Sequence, residues 1–356
     1  MSVNLPHIQT LYDDPAIESI LIDGWQRVYV EKNGVLEDIP TPFQNEDELY
    51  GLIYSLAGER GSQVFEKISI ASFRLADNSR AEVIVPPVSL TGPAITILKS
   101  HTQDIQLEDL LRYGTLTQAA ADFLRACVEA RVNIVVSGGT SSGKTTLLMI
   151  MAGWIPQDER ILLLQNIAKW TLPHPRLISL ETCPPDLEGK GEVTMVDLVR
   201  SALRMRPDRI IVQDLVGSET YDLLGAMNRG HDGSMASLHA DSPRDVLSRL
   251  EMMAGKGNPE LPLRALREQI SSAVDLVVHI ECMRDGSRKI TNITEVTGME
   301  EGVIAMTDIF LFDITGYEGG KVLGSLRATG FIPRFLEKLD SAGIHLPVSM
   351  FASEEV

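Results

Sequence analysis

The residues with the clearest chemical potential sit together near the middle of the chain: Gly138-Gly139-Thr140-Ser141-Ser142-Gly143-Lys144-Thr145, followed by Thr146. The run completes the pattern G-x-x-x-x-G-K-[ST], in which each fixed position helps to hold phosphate. Gly138 and Gly143 allow backbone angles that turn successive N–H groups toward one anion. Lys144 is placed to reach β- and γ-phosphates, and the Thr145 hydroxyl to sit on Mg²⁺. The neighbouring residues supply the geometry such a loop needs. Val132-Asn133-Ile134-Val135-Val136-Ser137 reads as a short β-branched strand, and Thr145-Thr146-Leu147-Leu148-Met149-Ile150-Met151 opens a helix. Strand, glycine turn and helix N-terminus together make an anion cradle with the helix dipole behind it. The expected ligand is a nucleotide carrying Mg²⁺.

The elements around the loop place it in an α/β layout. A helix carrying Ala120, Phe123, Leu124, Cys127 and Val128 on one face comes first. Strands and helices then alternate: strand 132–137, a helix from 144, strand 161–164, a helix over 196–205 and strand 210–212. That order predicts a mostly parallel sheet with helices on both faces. Ser242-Pro243, a capping residue before a proline, starts a further helix. Segments 276–282, 289–296 and 303–312, separated by Asp285-Gly286 and Glu300-Glu301-Gly302, predict a C-terminal antiparallel meander.

Upstream, residues 13–97 predict a smaller α+β unit. Strand-like Ser19 to Ile22 precedes Arg27 to Val30 and Val35 to Glu37, which should pair across Asn33-Gly34. A helix is expected over 46–56, then strands at 73–75 and 81–85 around Asp77-Asn78-Ser79-Arg80, stopped by Pro86-Pro87. The expected organisation is an α+β domain over 1–99, a linker over 100–116 with a short helix at 107–112, and a nucleotide-binding domain with meander and tail over 117–356.

Composition narrows the function classes. With 32 Lys plus Arg against 49 Asp plus Glu, the net charge is −17. That balance argues against a nucleic-acid grip, which needs a basic face. Cys127, Cys183 and Cys282 match no metal or disulfide spacing and are expected to be reduced thiols. No apolar run approaches the span of a bilayer, and the first residues lack a signal-peptide layout. The expected location is the cytoplasm, with any membrane contact made through a partner.

Further motifs follow the loop in order: Leu180-Glu181-Thr182-Cys183-Pro184-Pro185, Glu188-Gly189-Lys190-Gly191-Glu192-Val193-Thr194, and Leu203-Arg204-Met205-Arg206-Pro207-Asp208-Arg209-Ile210-Ile211-Val212. Gly230-His231-Asp232-Gly233-Ser234 and Ser237-Leu238-His239-Ala240-Asp241-Ser242-Pro243 close the series. Over nearly its whole length the chain resembles the type II and type IV secretion ATPases, specifically the CpaF/TadA branch that powers tight-adherence (Flp) pili. The resemblance implies a RecA-like P-loop ATPase domain behind a smaller N-terminal domain. It also implies a hexameric ring, homomeric or mixed, that works an inner-membrane platform protein. By the same resemblance, Arg74 and Arg80 lie near the nucleotide. Arg204 and Arg206 form an Arg-x-Arg before the second acidic strand, and His239 belongs to a His box that couples nucleotide state to the ring.

The sequence departs from the family where hydrolysis would be organised. The Glu-Asp pair expected after the strand at 161–164 is Gln165-Asn166, whose amides neither take a proton nor bring charge to a metal. The expected Gly-Glu followed by Val-Arg-Gly is Gln213-Asp214-Leu215-Val216-Gly217, leaving Asp214 as the acid that, with Thr145, would hold Mg²⁺, through water. Ile-Arg-Lys has become Ile97-Leu98-Lys99. A missing general base lowers a rate by about 10²- to 10⁴-fold, and a missing transition-state arginine by about 10³-fold or more. Phosphate binding uses other atoms and should outlast turnover. The reading is therefore an ATP-binding ring subunit with weak or absent hydrolysis, consistent with an intact homologous ATPase that supplies turnover in a mixed or a parallel ring. The alternative is an active motor. A small-molecule kinase is disfavoured, because no separate acceptor lid is evident.

The remaining histidines carry less. His231 sits in a Gly-rich turn, while His7, His101, His174, His279 and His345 show no paired spacing and are not expected to be ligands.

Overall fold

The computed structural model describes residues 5–32, 35–57, 69–77, 79–99, 105–168, 172–185 and 190–353. Contacts divide the chain into two compact units, the first built mainly on Met1–Gln103 and the second mainly on the residues from Asp104 onward.

In the first unit, helix α1 (Gln9–Asp13) and helix α2 (Glu46–Ala57) accompany strands β1 (Ser19–Asp23), β2 (Val28–Lys32), β3 (Val35–Ile39), β4 (Ile70–Arg74), β5 (Arg80–Ile84) and β6 (Ala94–Leu98). The strands form one sheet in the order β3-β2-β1-β6-β5-β4, with every pairing antiparallel. Alternate residues Ile20, Ile22, Val28, Val30, Ala81, Val83, Ile95 and Ile97 point inward, against Leu49, Leu52 and Ile53 of α2. This period-2 burial is what a sheet with one covered face requires. The expected strands pair as read, although the Asn33-Gly34 turn and Asn78 lie outside the described residues. Central strand β6 was not expected. Its five residues follow Gly92-Pro93 and alternate in burial as a strand does, a signal the sequence reading passed over.

The second unit opens with α3 (Leu107–Arg112) and α4 (Gln118–Glu129). It continues with β7 (Ile134–Gly138), α5 (Lys144–Ala152), β8 (Ile161–Gln165), β9 (Leu177–Glu181), α6 (Met195–Leu203) and β10 (Arg209–Leu215). Then come α7 (Glu219–Met227), β11 (Met235–His239), α8 (Pro243–Gly257) and α9 (Leu263–Ala273). Last are β12 (Leu276–Cys282), β13 (Arg288–Glu300), β14 (Val303–Glu318), β15 (Lys321–Ala328) and α10 (Leu336–Ser341). The sheet order is β15-β14-β13-β12-β7-β11-β10-β8-β9. From β12 to β9 all neighbours are parallel, and from β12 to β15 all are antiparallel.

The expected meander is present, and it is continuous with the parallel sheet through β12. It also runs one strand further than read, because β15 follows the Gly319-Gly320 turn. Strands β7 and β8 are buried throughout, as a sheet covered on both faces demands.

Local chemistry explains the helix starts. Thr117 caps α4, Thr194 and Asp197 form a capping box at α6, and Ser242 caps α8 ahead of Pro243. At the N-terminal edge of the sheet, the fully buried Arg209 bonds to Glu159, which also meets Arg131 at 3.1 Å. Phe123, Phe310, Phe335 and Phe351 pack ring against ring and fasten the tail.

Candidate nucleotide-binding site

Strand β7 runs between β11 and β12, so the loop that leaves it emerges at the middle of the sheet's C-terminal edge. Parallel sheets place their ligands at this edge. The loop is tightly seated. A Cβ on Gly138 would lie 2.0 Å from the Ile280 carbonyl oxygen and 2.6 Å from Ser142 Oγ, so only glycine fits. Gly143 takes φ +100° as the N-cap of α5, and no side chain caps that helix. Its first N–H groups have no partner within the helix. Lys144 is buried, and its Nζ donates to the Gly139 carbonyl at 2.6 Å. Burial holds the ammonium below the ordinary lysine value, while the negative charge of Asp214 opposes the shift. Ser142 Oγ is buried and has no hydrogen-bond partner among the described residues.

Two residues to which the sequence reading gave no role at the loop touch it. Gln213 Nε2 donates to Thr145 Oγ1 at 3.5 Å. From the start of β13, Arg288 Nε donates to the Ser141 carbonyl at 3.1 Å.

The strands that should carry acids end as follows. Gln165 is buried, and its Nε2 donates to Ser179 Oγ on β9 at 2.9 Å. Asn166 Nδ2 donates to the Asp214 carbonyl at 3.4 Å. In β10 the register slips between Val212 and Leu215, and Asp214 adopts φ +56°. Left-handed backbone is uncommon outside glycine, though aspartate tolerates it better than most residues, and such positions cluster at functional sites. The Asp214 N–H donates to Ser237 Oγ at 3.0 Å, and that hydroxyl lies 3.3 Å from Asp214 Oδ1. The side chain that reaches Thr145 is therefore Gln213, and the Asp214 carboxylate is hydrogen-bonded to β11.

His239 ends β11 with its ring about half exposed, Nε2 lying 3.8 Å from Asp241 Oδ1. His279 is buried beside the loop strand. Its Nδ1 lies 2.8 Å from Ser137 Oγ and its Nε2 3.4 Å from Glu281 Oε1. Burial pushes its pKa down from 6.5.

A family model for type II/IV secretion system proteins matches residues 4–303. The chain belongs to that family. A putative conjugal transfer protein of Mycobacterium tuberculosis is 33% identical over 312 residues, covering 84% of this chain and 86% of that protein. The type IV secretion system protein VirB11 of Bartonella henselae is 28% identical over 326 residues, covering 81% and 91%. Among solved structures, the pilus retraction motor PilT with bound ADP aligns at TM-score 0.59 and 17% identity, over 86% of this chain and 82% of that one. The Legionella pneumophila ATPase DotB aligns at 0.58 and 18%, over 79% and 77%. These two structures share the fold.

Of the remaining expected residues, Arg204 and Arg206 belong to the same unit as the loop, and Arg74 and Arg80 to the other unit. Arg204 and Arg206 are exposed and precede β10. They stand at the sheet edge opposite the loop, so within one subunit they do not join it. Arg74 and Arg80 pair across the β4–β5 hairpin of the first unit, where Arg80 Nε bonds to Ser72 Oγ at 2.8 Å and to Glu82 at 2.5 Å. His231 Nδ1 lies 3.3 Å from the Ala226 carbonyl at the end of α7.

The loop residues fit a metal–nucleotide. An uncapped helix start, a buried lysine and an unpartnered serine hydroxyl face the same turn. Among the described residues no three His, Cys, Asp or Glu side chains gather as a metal cage. Mg²⁺ here would be held by phosphates and water with Thr145, the usual pattern for this ion on nucleotides.

Proposed function

We propose that this secretion-family chain binds ATP with Mg²⁺ through Gly138 to Thr146, and serves as an ATP-binding subunit of a CpaF/TadA-like pilus or secretion motor. The observation that carries the reading is the loop itself: Gly138 locked against Ile280, Gly143 opening α5, and Lys144 buried over the turn. Lys144 and the loop N–H groups bind phosphate, and Thr145 holds the metal side.

Weak turnover is part of the proposal. At the position expected to hold a base, Gln165 presents an amide already engaged with Ser179, and Val216 replaces the expected arginine with an exposed apolar side chain. The ring is a hexamer, homomeric or mixed with an intact homologue, in which Arg204 and Arg206 face a neighbour's nucleotide and Arg74 and Arg80 lie near the chain's own. His239 reports nucleotide state to the ring. The proposed partner is an inner-membrane platform protein, with the chain on the cytoplasmic face. Among the described residues no helix is long and apolar enough to cross a membrane, which fits attachment through that partner.

A paired measurement on one purified sample tests this reading: ATP affinity by titration and phosphate release with Mg²⁺, each beside Lys144→Ala. Micromolar-range binding that falls by about 10-fold or more in the variant supports it, the loss expected for a charge-assisted contact. Phosphate release should match the variant's background. Rapid Mg²⁺-dependent release that the variant abolishes identifies an active motor instead.

A further inference from the structure

Gln213 occupies a place where the family pattern has glycine, and its surroundings give the side chain a use. It is 7% exposed. One end of the amide, Nε2, faces the Thr145 hydroxyl at 3.5 Å. The other end, Oε1, is buried and has no hydrogen-bond partner among the described residues. A buried amide oxygen left without a donor costs stability, so the fold maintains a polar acceptor beside the hydroxyl expected to meet the metal.

Resting on the nucleotide reading above, we propose that Gln213 is a positioning residue for the metal side of the site. Its N–H fixes the Thr145 hydroxyl through one lone pair and leaves the other for the ion. Its Oε1 accepts from a water on the ion. Asp214, next in sequence, is bound to Ser237 and is not the group at Thr145. A neutral amide orients such a water without adding charge beside the triphosphate. Outer-shell groups of this kind orient ligands and change metal affinity by about 10- to 100-fold when removed.

The test uses full-length protein and a non-hydrolysable ATP analogue, titrated once with excess Mg²⁺ and once in EDTA. Gln213→Met keeps the volume and removes both hydrogen bonds. It should weaken binding in Mg²⁺ by about 10-fold, leave binding in EDTA unchanged, and keep or raise the ligand-free melting temperature, because it removes a buried acceptor that had no donor. Gln213→Glu, which keeps an acceptor for the metal's water, should restore the Mg²⁺ dependence. Equal losses in both buffers, or no loss in either, overturn the assignment of Gln213 while leaving nucleotide binding intact. Wild-type protein that binds the analogue in neither buffer overturns the nucleotide reading, and the role of Gln213 with it.

Discussion

Arg288 Nε donates to the carbonyl oxygen of Ser141 across 3.1 Å, so a residue of the antiparallel half of the large sheet braces the phosphate loop of the parallel half. The methylene next to that guanidinium also lies over Gly143, where an added Cβ would meet it at 3.3 Å. The contact places a permanent positive charge at the loop's rim.

Replacing Arg288 with alanine should weaken ATP binding by about 5-fold at low salt, the equivalent of roughly 1 kcal/mol. Because the side chain is exposed, salt should screen most of that loss. Titration of an ATP analogue at low and high ionic strength measures both quantities. A loss that is the same at every salt concentration would assign Arg288 to packing alone.

Restoring the family residues with Gln165→Glu, Asn166→Asp, Asp214→Glu and Val216→Arg should raise phosphate release by about 10²-fold or more, the scale of a recovered base. Val216 is 66% exposed, so a longer side chain there meets open solvent. Steady-state turnover of the quadruple variant beside wild type is the measurement. Unchanged turnover would remove these substitutions as the cause of the proposed weak hydrolysis.

Glu159→Gln should destabilise the protein by about 3–5 kcal/mol, because it leaves the fully buried Arg209 guanidinium without its counter-charge. Arg209 starts β10 and Gln213 lies near its other end, so nucleotide affinity should stay within about 2-fold of wild type. Urea unfolding gives the first quantity and titration the second. A stability loss below about 1 kcal/mol would contradict the assigned weight of this pair.

The buried imidazole of His279 should make stability depend on pH. Its folded pKa is lowered below 6.5 by burial, so as pH falls the unfolded chain takes up the proton first. The contribution is complete above pH 6.5 and is lost as pH drops toward the folded value. Between about pH 7.5 and pH 5.5 wild type should lose more melting temperature than His279→Gln. Parallel curves for the two proteins would show that other groups set the acid limit.

Local signals and distant ones differed in how far the chain could be read. The phosphate loop and the helix at 107–112 are written in adjacent residues, and both stand where the letters put them. The period-2 strands of the first unit were legible for the same reason, β6 excepted. Strand β9 was missed because its half-exposed five residues follow the proline-rich run 173–175, which reads as a loop. The parallel pairing of β12 with β7 joins segments about 140 residues apart, and no local pattern records such a partner.

At the site, Asp214 was read as the metal-side acid from its residue type. The hydrogen bond of Gln213 to Thr145 was not legible, because the register of β10 slips between Val212 and Leu215 and strict alternation of faces does not hold through such an irregularity. Arg288 left no sequence cue beyond its place after the Asp285-Gly286 turn.

Strand β12 belongs to both halves of the sheet, and its Ile280 carbonyl is the atom that leaves no room beside Gly138. The long β14–β15 hairpin is therefore tied to the floor of the phosphate turn through one continuous sheet, whose ladder is interrupted at His279–Ile280, Ile293–Thr294, Val296–Gly298 and Ile314–Gly316. Strain applied to the hairpin's tip would meet those irregular steps before it reached the turn, and they are where the sheet would give first.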